Sequence, residues 1–246
     1  MDRFIKNPCD YNANDLMNTD WDVIELDFSF DQAGLLEWYN KLNTDFSSSK
    51  FVMSPEYYKK YFNNDYLRRW SVADYSVPND EQEYSFNWTL QWIKERYDPL
   101  PFSHLANRDL YPEINDSDFS DEENPFLEKF NFGSFQKLKD RIGKYFQKVR
   151  VLTVPKGSKV ILHHDINPGG LLFKLHLQIE TNDQCSWFFG YDAGREYVME
   201  TGKAYIVNTS IVHGVVNSGN TNWSMIHCSP KLEYLDEIIK LRGSIN

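Results

Sequence analysis

The 246-residue chain has few cysteines, a shortage of positive charge and no long apolar segment. Its three cysteines are far apart and form no CxxC pair, which disfavours a disulfide framework or thiolate zinc site and favours the reducing cytoplasm. Lys and Arg number 26 against 36 Asp and Glu, and this net charge of −10 argues against nucleic acid or an anionic membrane as partner. No run reaches the roughly 18 apolar residues of a membrane span, and the polar N-terminus lacks a signal-peptide stretch.

Aromatic residues, in contrast, are abundant, at 16% of the chain. They favour pleated, half-buried surfaces and therefore predict a β-rich core. The length suits one large domain, and a charged fraction of 25% is ordinary for a folded protein. We expect a single domain over residues 1–246, with a helical and irregular part over 1–147, a jelly-roll core over 148–230 and a C-terminal helix within 231–246.

The N-terminal part shows helical rather than strand periodicity. Apolar spacing and capping residues predict four helices there: residues 31–42, a segment from about Pro55, residues 80–97 and residues 126–146. The third of these depends on apolar residues at steps of four, three and four. The acidic segment 112–125 is rich in helix breakers and is predicted to be a solvated loop, with a lid or partner site as the alternative.

After residue 147 the sequence changes to short β-rich runs separated by turn residues. Eight runs are predicted to be strands: residues 148–154, 158–164, 171–180, 185–191, 195–200, 203–208, 211–217 and 223–228. Eight short strands at this spacing predict a two-sheet jelly roll or a small barrel. The expected fold class is mainly β with α. Since no flexible linker precedes the strands, the N-terminal helices are expected to pack against the sheets.

Five of the six histidines follow residue 162, and two of them stand at predicted strand ends. His163 and Asp165 are two positions apart, so in an extended chain they point to the same side. His213 comes 50 positions later, at another strand. Two histidines and one carboxylate from neighbouring strand ends can form a facial triad, which holds Fe(II) and leaves positions for a co-substrate and O₂.

The predicted strand 171–180 carries polar residues at every second position. Lys174, His176 and Gln178 alternate there with apolar residues. In one interpretation this polar face lies in water, as is common in antiparallel sheets. In the other it lines a cavity beside the metal, where Lys174 holds an anionic carboxylate.

The order of these motifs resembles that of the aspartyl/asparaginyl β-hydroxylase family of Fe(II)/2-oxoglutarate-dependent oxygenases. The motifs are a Pro/Gly turn (Pro155, Gly157), His-x-Asp (163–165), Lys-Leu-His-Leu (174–177), a turn at Gly202 and His-x-Val-x-Asn (213–217). The resemblance covers about 80 residues near the C-terminus. It implies a cupin-like double-stranded β-helix with iron held by His163, Asp165 and His213. It also implies that Lys174 contacts 2-oxoglutarate and that His176 lies in the same pocket.

The sequence departs from this family at its second 2-oxoglutarate anchor. An arginine stands about ten residues after the distal histidine in the family, and Trp223 stands there in this chain. An indole has one N–H donor and no charge, so it cannot pair bidentately with a carboxylate. Three alternatives stay open: Lys174 binds the carboxylate, Arg195 or Arg150 substitutes, or 2-oxoglutarate does not bind. Ser224 adds a hydroxyl, which faces opposite to Trp223 in a regular strand.

The expected function is hydroxylation of an unactivated C–H bond with Fe(II), 2-oxoglutarate and O₂. The substrate is expected to be an amino acid, either a free small molecule or a residue within a peptide. Two other functions stay open. One is a binding or structural jelly roll that has lost 2-oxoglutarate turnover, and the other is a cupin-type metalloenzyme that does not use 2-oxoglutarate.

Overall fold

Strands occupy both parts of the chain. The computed structural model describes residues 3–6, 8–45, 51–53, 82–89, 126–163 and 173–245, with the backbone alone at 51–53, 82–89, 161 and 163. The N-terminal part contains β1 (Phe4–Lys6), β2 (Val23–Leu26), β3 (Phe28–Phe30), β4 (Phe51–Met53) and β5 (Gln82–Thr89). The C-terminal part contains β6 (Phe146–Val154), β7 (Lys159–His163), β8 (Phe173–Glu180), β9 (Cys185–Phe189), β10 (Arg195–Val198), β11 (Ala204–Asn208), β12 (His213–Asn217), β13 (Trp223–Pro230) and β14 (Gly243–Ile245). All eight strands predicted after residue 147 are confirmed, with shifted ends.

The strands β6 to β13 are divided between two antiparallel sheets. The large sheet contains the order β11-β8-β13-β6, and the small sheet has the order β10-β9-β12-β7. The chain therefore crosses repeatedly from one sheet to the other, which is the topology of a jelly roll built from two Greek keys. The fold is a double-stranded β-helix, mainly β with a few helices, as the sequence predicted.

The N-terminal strands extend the large sheet at both sides. β2 pairs antiparallel with β11 and parallel with β1, while β5 pairs antiparallel with β6 and β4. Away from this sheet, β3 pairs parallel with β14. The expectation of a helical and irregular N-terminal part is wrong for these segments. Most of them have three or four residues, which is too short for a period of two to be visible in the sequence.

The helix predicted over residues 80–97 is wrong in its described part, where β5 occupies residues 82–89. The segment QEYSFNWT alternates polar residues with Tyr84, Phe86 and Trp88, which is the period of a strand. Pairing with β4 and β6 satisfies the backbone groups of this segment from both sides. The helical prediction counted Phe86 together with residues beyond 89, and those lie outside the described residues.

The other helices predicted from the sequence are confirmed in part. The helices of the described residues are α1 (Ala13–Met17), α2 (Gln32–Asp45), α3 (Gly133–Ile142) and α4 (Leu235–Ile239). The predicted helix 31–42 corresponds to α2, whose first turn is capped by the Asp31 carboxylate, an acceptor for the Gly34 N–H at 2.9 Å. In the described ranges, no helix combines the length and apolar composition needed to cross a membrane.

The helix predicted over 126–146 is shorter than expected. Only α3 is α-helical in this range, a separate 3-10 turn covers Glu128–Phe130, and Phe146 begins β6 instead of ending a helix. The closing helix corresponds to α4 after a 3-10 turn at Leu232–Tyr234. The helix expected from Pro55 and the acidic segment 112–125 lie outside the described residues.

The large sheet is buried on both faces. One face packs against α2, α3 and α4, through a cluster that includes Leu35, Trp38, Phe135, Leu175, Leu177, Ile226 and Ile238. The other face packs against the small sheet, through Val154, Trp187, Phe189, Tyr205, Val215, Trp223 and Met225. His176 and Gln178 on β8 belong to this second face and are 1% and 0% exposed, so the interpretation that places them in water is wrong. We call the space between the two sheets the interior.

Candidate functional site

His163 and His213 occupy partner positions on neighbouring strands of the small sheet. Their Cα atoms are directly paired in the register of β7 and β12. Such Cα atoms lie about 4.5–5.5 Å apart in an antiparallel pair. The next pair is Val160 with Val215, so β7 has one residue more than β12 between the pairs, which is a β-bulge. Bulges are frequent beside active sites, where they redirect a side chain.

The His213 ring is held in one orientation. Its Nδ1 lies 2.9 Å from the carbonyl oxygen of Ile211, and since a carbonyl oxygen only accepts, Nδ1 carries the proton. The residue is 3% exposed, and its ring stacks on Trp187 with 5.5 Å between centroids. This tautomer leaves the lone pair on Nε2, as in histidines that bind metal ions. The geometry of His213 therefore fits a metal ligand.

The proposed triad extends beyond the part of the chain that the structure describes in full. His163 is described by its backbone, and Asp165 lies outside the described residues. Within those residues, His, Cys, Asp and Glu side chains form no group of three that could hold a metal ion. The triad stays a prediction, and the pairing of His163 with His213 is the observation that supports it.

A row of basic side chains crosses the large sheet on its interior face. Arg150 on β6, His227 on β13 and His176 on β8 are directly opposite one another in the strand register. The His176 and His227 rings have 4.9 Å between centroids, and Trp187 of the facing sheet lies 5.0 Å from His176. His227 is not among the site residues predicted from the sequence, although its alternation with Trp223 and Met225 on β13 indicates that it faces the interior.

Lys174 adds a further positive charge beside this row. It lies two positions before His176 on β8, and its Nζ donates a hydrogen bond to Ser229 Oγ at 3.1 Å. Ser229 stands two positions after His227 on β13, so the hydrogen bond joins the same two strands as the histidine pair. The structure therefore brings Lys174, His176 and Arg150 together in the interior.

Burial lowers the pKa of His227 well below its usual value of 6.5. The neighbouring His176, Lys174 and Arg150 act in the same direction, because a further positive charge near them is unfavourable. The His227 Nδ1 atom is inaccessible to solvent. His227 is consequently a neutral ring at neutral pH in the folded protein.

We expect the free energy of unfolding to decrease as the pH falls below 6.5, the usual pKa of histidine. In that range the unfolded chain binds a proton at His227 that the folded chain does not, so acid favours unfolding by at most about 1.4 kcal/mol per pH unit. Urea unfolding at a series of pH values measures this slope. His227→Gln should reduce the slope, and an identical slope in parent and variant would contradict the assignment.

Arg195 is engaged by a buried carboxylate instead of the interior row. Its Nε and Nη2 donate to the two oxygens of Asp22 at 2.6 and 3.2 Å, and the Tyr197 hydroxyl donates to the same carboxylate at 3.0 Å. Asp22 is 0% exposed. The hydrogen bond from Arg195 to Asp22 raises the pKa of Arg195 above its usual value. Asp22 therefore pairs with the Arg195 guanidinium, one of the cations considered as a substitute anchor for 2-oxoglutarate.

Ser224 lies on the helix-facing side of β13, opposite to Trp223. Its Oγ is 3.3 Å from Thr153 Oγ1, which is 3.0 Å from the Tyr39 hydroxyl on α2. The structure does not bring Ser224 together with Lys174.

Trp223, at the position where the family has arginine, is part of a neutral pair. The residue is 0% exposed, and its Nε1 donates to Gln178 Oε1 at 2.6 Å. The indole ring also meets Trp187 edge-on, with 6.4 Å between centroids. Trp223 thus fills the interior and has its donor occupied by Gln178.

No family model matches the chain, and no curated protein matches its sequence. Among solved structures, the chain is similar to an oxidoreductase of the 2OG-Fe(II) oxygenase family from Burkholderia pseudomallei, with 14% identity over 85% of this chain and 95% of that chain and a TM-score of 0.37. A Pseudomonas putida prolyl-4-hydroxylase shows 12% identity over 80% of this chain and 98% of that chain, with a TM-score of 0.29. A predicted oxalate decarboxylase from Thermotoga maritima shows 16% identity over 37% of this chain and 72% of that chain, with a TM-score of 0.28. In three further matches this chain spans 24–48% of the solved chain. These likenesses concern the fold and do not point to the aspartyl/asparaginyl β-hydroxylase subfamily.

Proposed function

We propose that the protein is a non-haem Fe(II)- and 2-oxoglutarate-dependent oxygenase. The observation that carries the proposal is the direct pairing of His163 with His213 on two strands of a double-stranded β-helix, with His213 in the tautomer of a metal ligand. Asp165, two residues after His163, would complete a set of two histidines and one carboxylate. This ligand set is typical of non-haem Fe(II) oxygenases.

The interior beside His213 is suited to an anionic co-substrate. Lys174 and Arg150 supply positive charge there, and His176 and His227 line the same face. An anion held by Lys174 in this partly desolvated space experiences a stronger attraction than in water. We assign Lys174 as the main contact of the 2-oxoglutarate carboxylate and Arg150 as a supporting charge. Arg195 is left out because Asp22 already pairs with it.

When bound, iron would couple the oxidation of 2-oxoglutarate by O₂ to insertion of one oxygen atom into a C–H bond. The residues of this chain orient the metal ligand and the co-substrate and exclude water from the site. The Ile211 carbonyl fixes the His213 ring, and Trp187 covers one side of that ring. Lys174 orients the co-substrate carboxylate, and the aromatic side chains of the interior limit the access of water.

The class of substrate comes from the sequence motifs. Their order resembles that of the aspartyl/asparaginyl β-hydroxylases, so we propose an amino acid, free or within a peptide, as the hydroxylated molecule. The cytoplasm is the proposed location, on the basis of the scattered cysteines.

Trp223 favours a second candidate function, a cupin-type metalloenzyme that does not use 2-oxoglutarate, because its paired N–H offers no charge to a carboxylate.

Anaerobic titration with Fe(II) and 2-oxoglutarate tests the proposed function. We expect a metal-to-ligand charge-transfer band that needs both components, followed by succinate formation when O₂ is admitted. Fe(II) without 2-oxoglutarate serves as the control and should give no such band. Tight Fe(II) binding with no response to 2-oxoglutarate would favour the cupin-type enzyme. Absence of both iron binding and succinate would refute the oxygenase.

A further inference from the structure

We infer that Gln178 and Trp187 donate hydrogen bonds to the carboxylate of a small organic acid bound in the interior. The inference rests on the proposed function for the position of the ligand, but it requires neither iron nor turnover. It depends on two buried donors without a described partner, one on each of the two sheets.

Gln178 presents the first donor. Its side chain is 0% exposed and stands on the face of β8 that carries Lys174 and His176. Because an indole N–H can only donate, the contact from Trp223 Nε1 identifies the accepting atom as the amide oxygen of Gln178. The amide NH₂ is therefore turned away from Trp223. It has no hydrogen-bond partner among the residues that the structure describes.

Trp187 presents the second donor, from β9 of the small sheet. The residue is 5% exposed, and its Nε1 also lacks a hydrogen-bond partner within the described ranges. Its ring contacts His176 at 5.0 Å, His213 at 5.5 Å and Trp223 at 6.4 Å between centroids. Gln178 and Trp187 therefore both contact Trp223, one from each sheet.

Buried donors in folded proteins nearly always have an acceptor, so these two indicate a molecule that supplies one. Neutral donors alone do not distinguish a water molecule from an organic oxygen. Lys174 and Arg150 line the same interior and favour an anion. A carboxylate has two oxygens and only accepts, so it can accept one hydrogen bond from Gln178 and one from Trp187 beside the positive charges of Lys174 and Arg150.

The test uses the metal-free protein with succinate and 2-oxoglutarate as probes, at a pH of about 8, where carboxylates are ionised. Ligand-detected NMR measures the two affinities. Gln178→Glu keeps an acceptor for Trp223 and replaces the donor by a negative charge, and Trp187→Phe keeps a ring and removes the N–H. The matched controls are Gln184→Glu at an exposed position and Trp38→Phe in the helix-facing core.

We expect Gln178→Glu to weaken binding of both acids at least about tenfold, the effect of losing a hydrogen bond to a charged group. Trp187→Phe should weaken it in the same direction, and both controls should bind as the parent does. Unchanged affinity in Gln178→Glu and Trp187→Phe would overturn the inference, as would a metal-free parent that binds neither acid. If circular dichroism shows that Gln178→Glu does not fold, Trp187→Phe decides the result.

The proposed function can fail independently of this inference. Loss of acid binding in Gln178→Glu, together with no charge-transfer band in the parent, would retain the carboxylate site and remove the oxygenase. A charge-transfer band in the parent, with full acid binding in both variants, would support the oxygenase and reject the carboxylate site at Gln178 and Trp187.

Discussion

Replacement of His213 by alanine is expected to weaken Fe(II) binding by at least about 100-fold and to abolish succinate formation. The ring that is lost is the one that Ile211 holds in the metal-binding tautomer, opposite His163 in the strand register. Anaerobic Fe(II) titration measures the affinity, and the charge-transfer band with 2-oxoglutarate reports whether the site is formed. Asp165→Ala should give a loss in the same direction.

The matched control for His213→Ala is His164→Ala. His164 follows His163 directly in the sequence, and neighbouring residues of an extended chain point to opposite sides. Its replacement should leave the iron affinity unchanged. Fe(II) binding in His213→Ala equal to that of the parent would remove His213 from the ligand set. The pairing of His163 with His213 would then no longer support the proposed function.

Lys174→Ala is expected to weaken 2-oxoglutarate binding at least about 30-fold, because a partly buried carboxylate would lose its direct charge partner. Arg150→Ala should cause a loss of about tenfold, because its charge acts from two strands away, across β13, without a direct contact in our assignment. Calorimetric titration of the Fe(II)-loaded protein under anaerobic conditions measures both dissociation constants. The KM for 2-oxoglutarate should rise in the same order.

Arg195→Ala separates a binding role from a structural one. We expect the affinity for 2-oxoglutarate to stay as in the parent, since Arg195 is paired with Asp22. Stability should fall by about 2–3 kcal/mol, because a buried carboxylate loses a charged donor. A larger loss of 2-oxoglutarate affinity in Arg195→Ala than in Lys174→Ala would show that the anchor is assigned to the wrong residue.

The jelly-roll core was predictable because its strands are marked locally. Alternation with a period of two and turn residues between the runs are visible within a few positions, so all eight strands were placed. The pairing of His163 with His213 follows from two strand ends that meet in this topology. The short N-terminal strands carry no comparable signal, and β5 was obscured because Phe86 also fits a helical spacing.

Partners of individual side chains were not predictable, because they depend on register across the sheets. Arg195 and Asp22 are 173 positions apart, and nothing near either residue indicates their ion pair. The hydrogen bond between Trp223 and Gln178 likewise joins two strands 45 positions apart. Several cations are therefore compatible with the sequence as anchors, and only the folded arrangement distinguishes Arg150 from Arg195.

The N-terminal strands also determine which strand edges of the large sheet are exposed. β2 and β5 cover the outer edges of β11 and β6, and the outermost strands of this sheet among the described residues, β1 and β4, have three residues each. Very short edge strands offer few unpaired backbone groups to another chain, whereas a long exposed edge promotes aggregation. A chain shortened to residues 126–246 would expose the nine-residue edge of β6 and the edge of β11. We expect such a fragment to self-associate through these strands, and we therefore expect the N-terminal part to protect the core against intermolecular sheet formation.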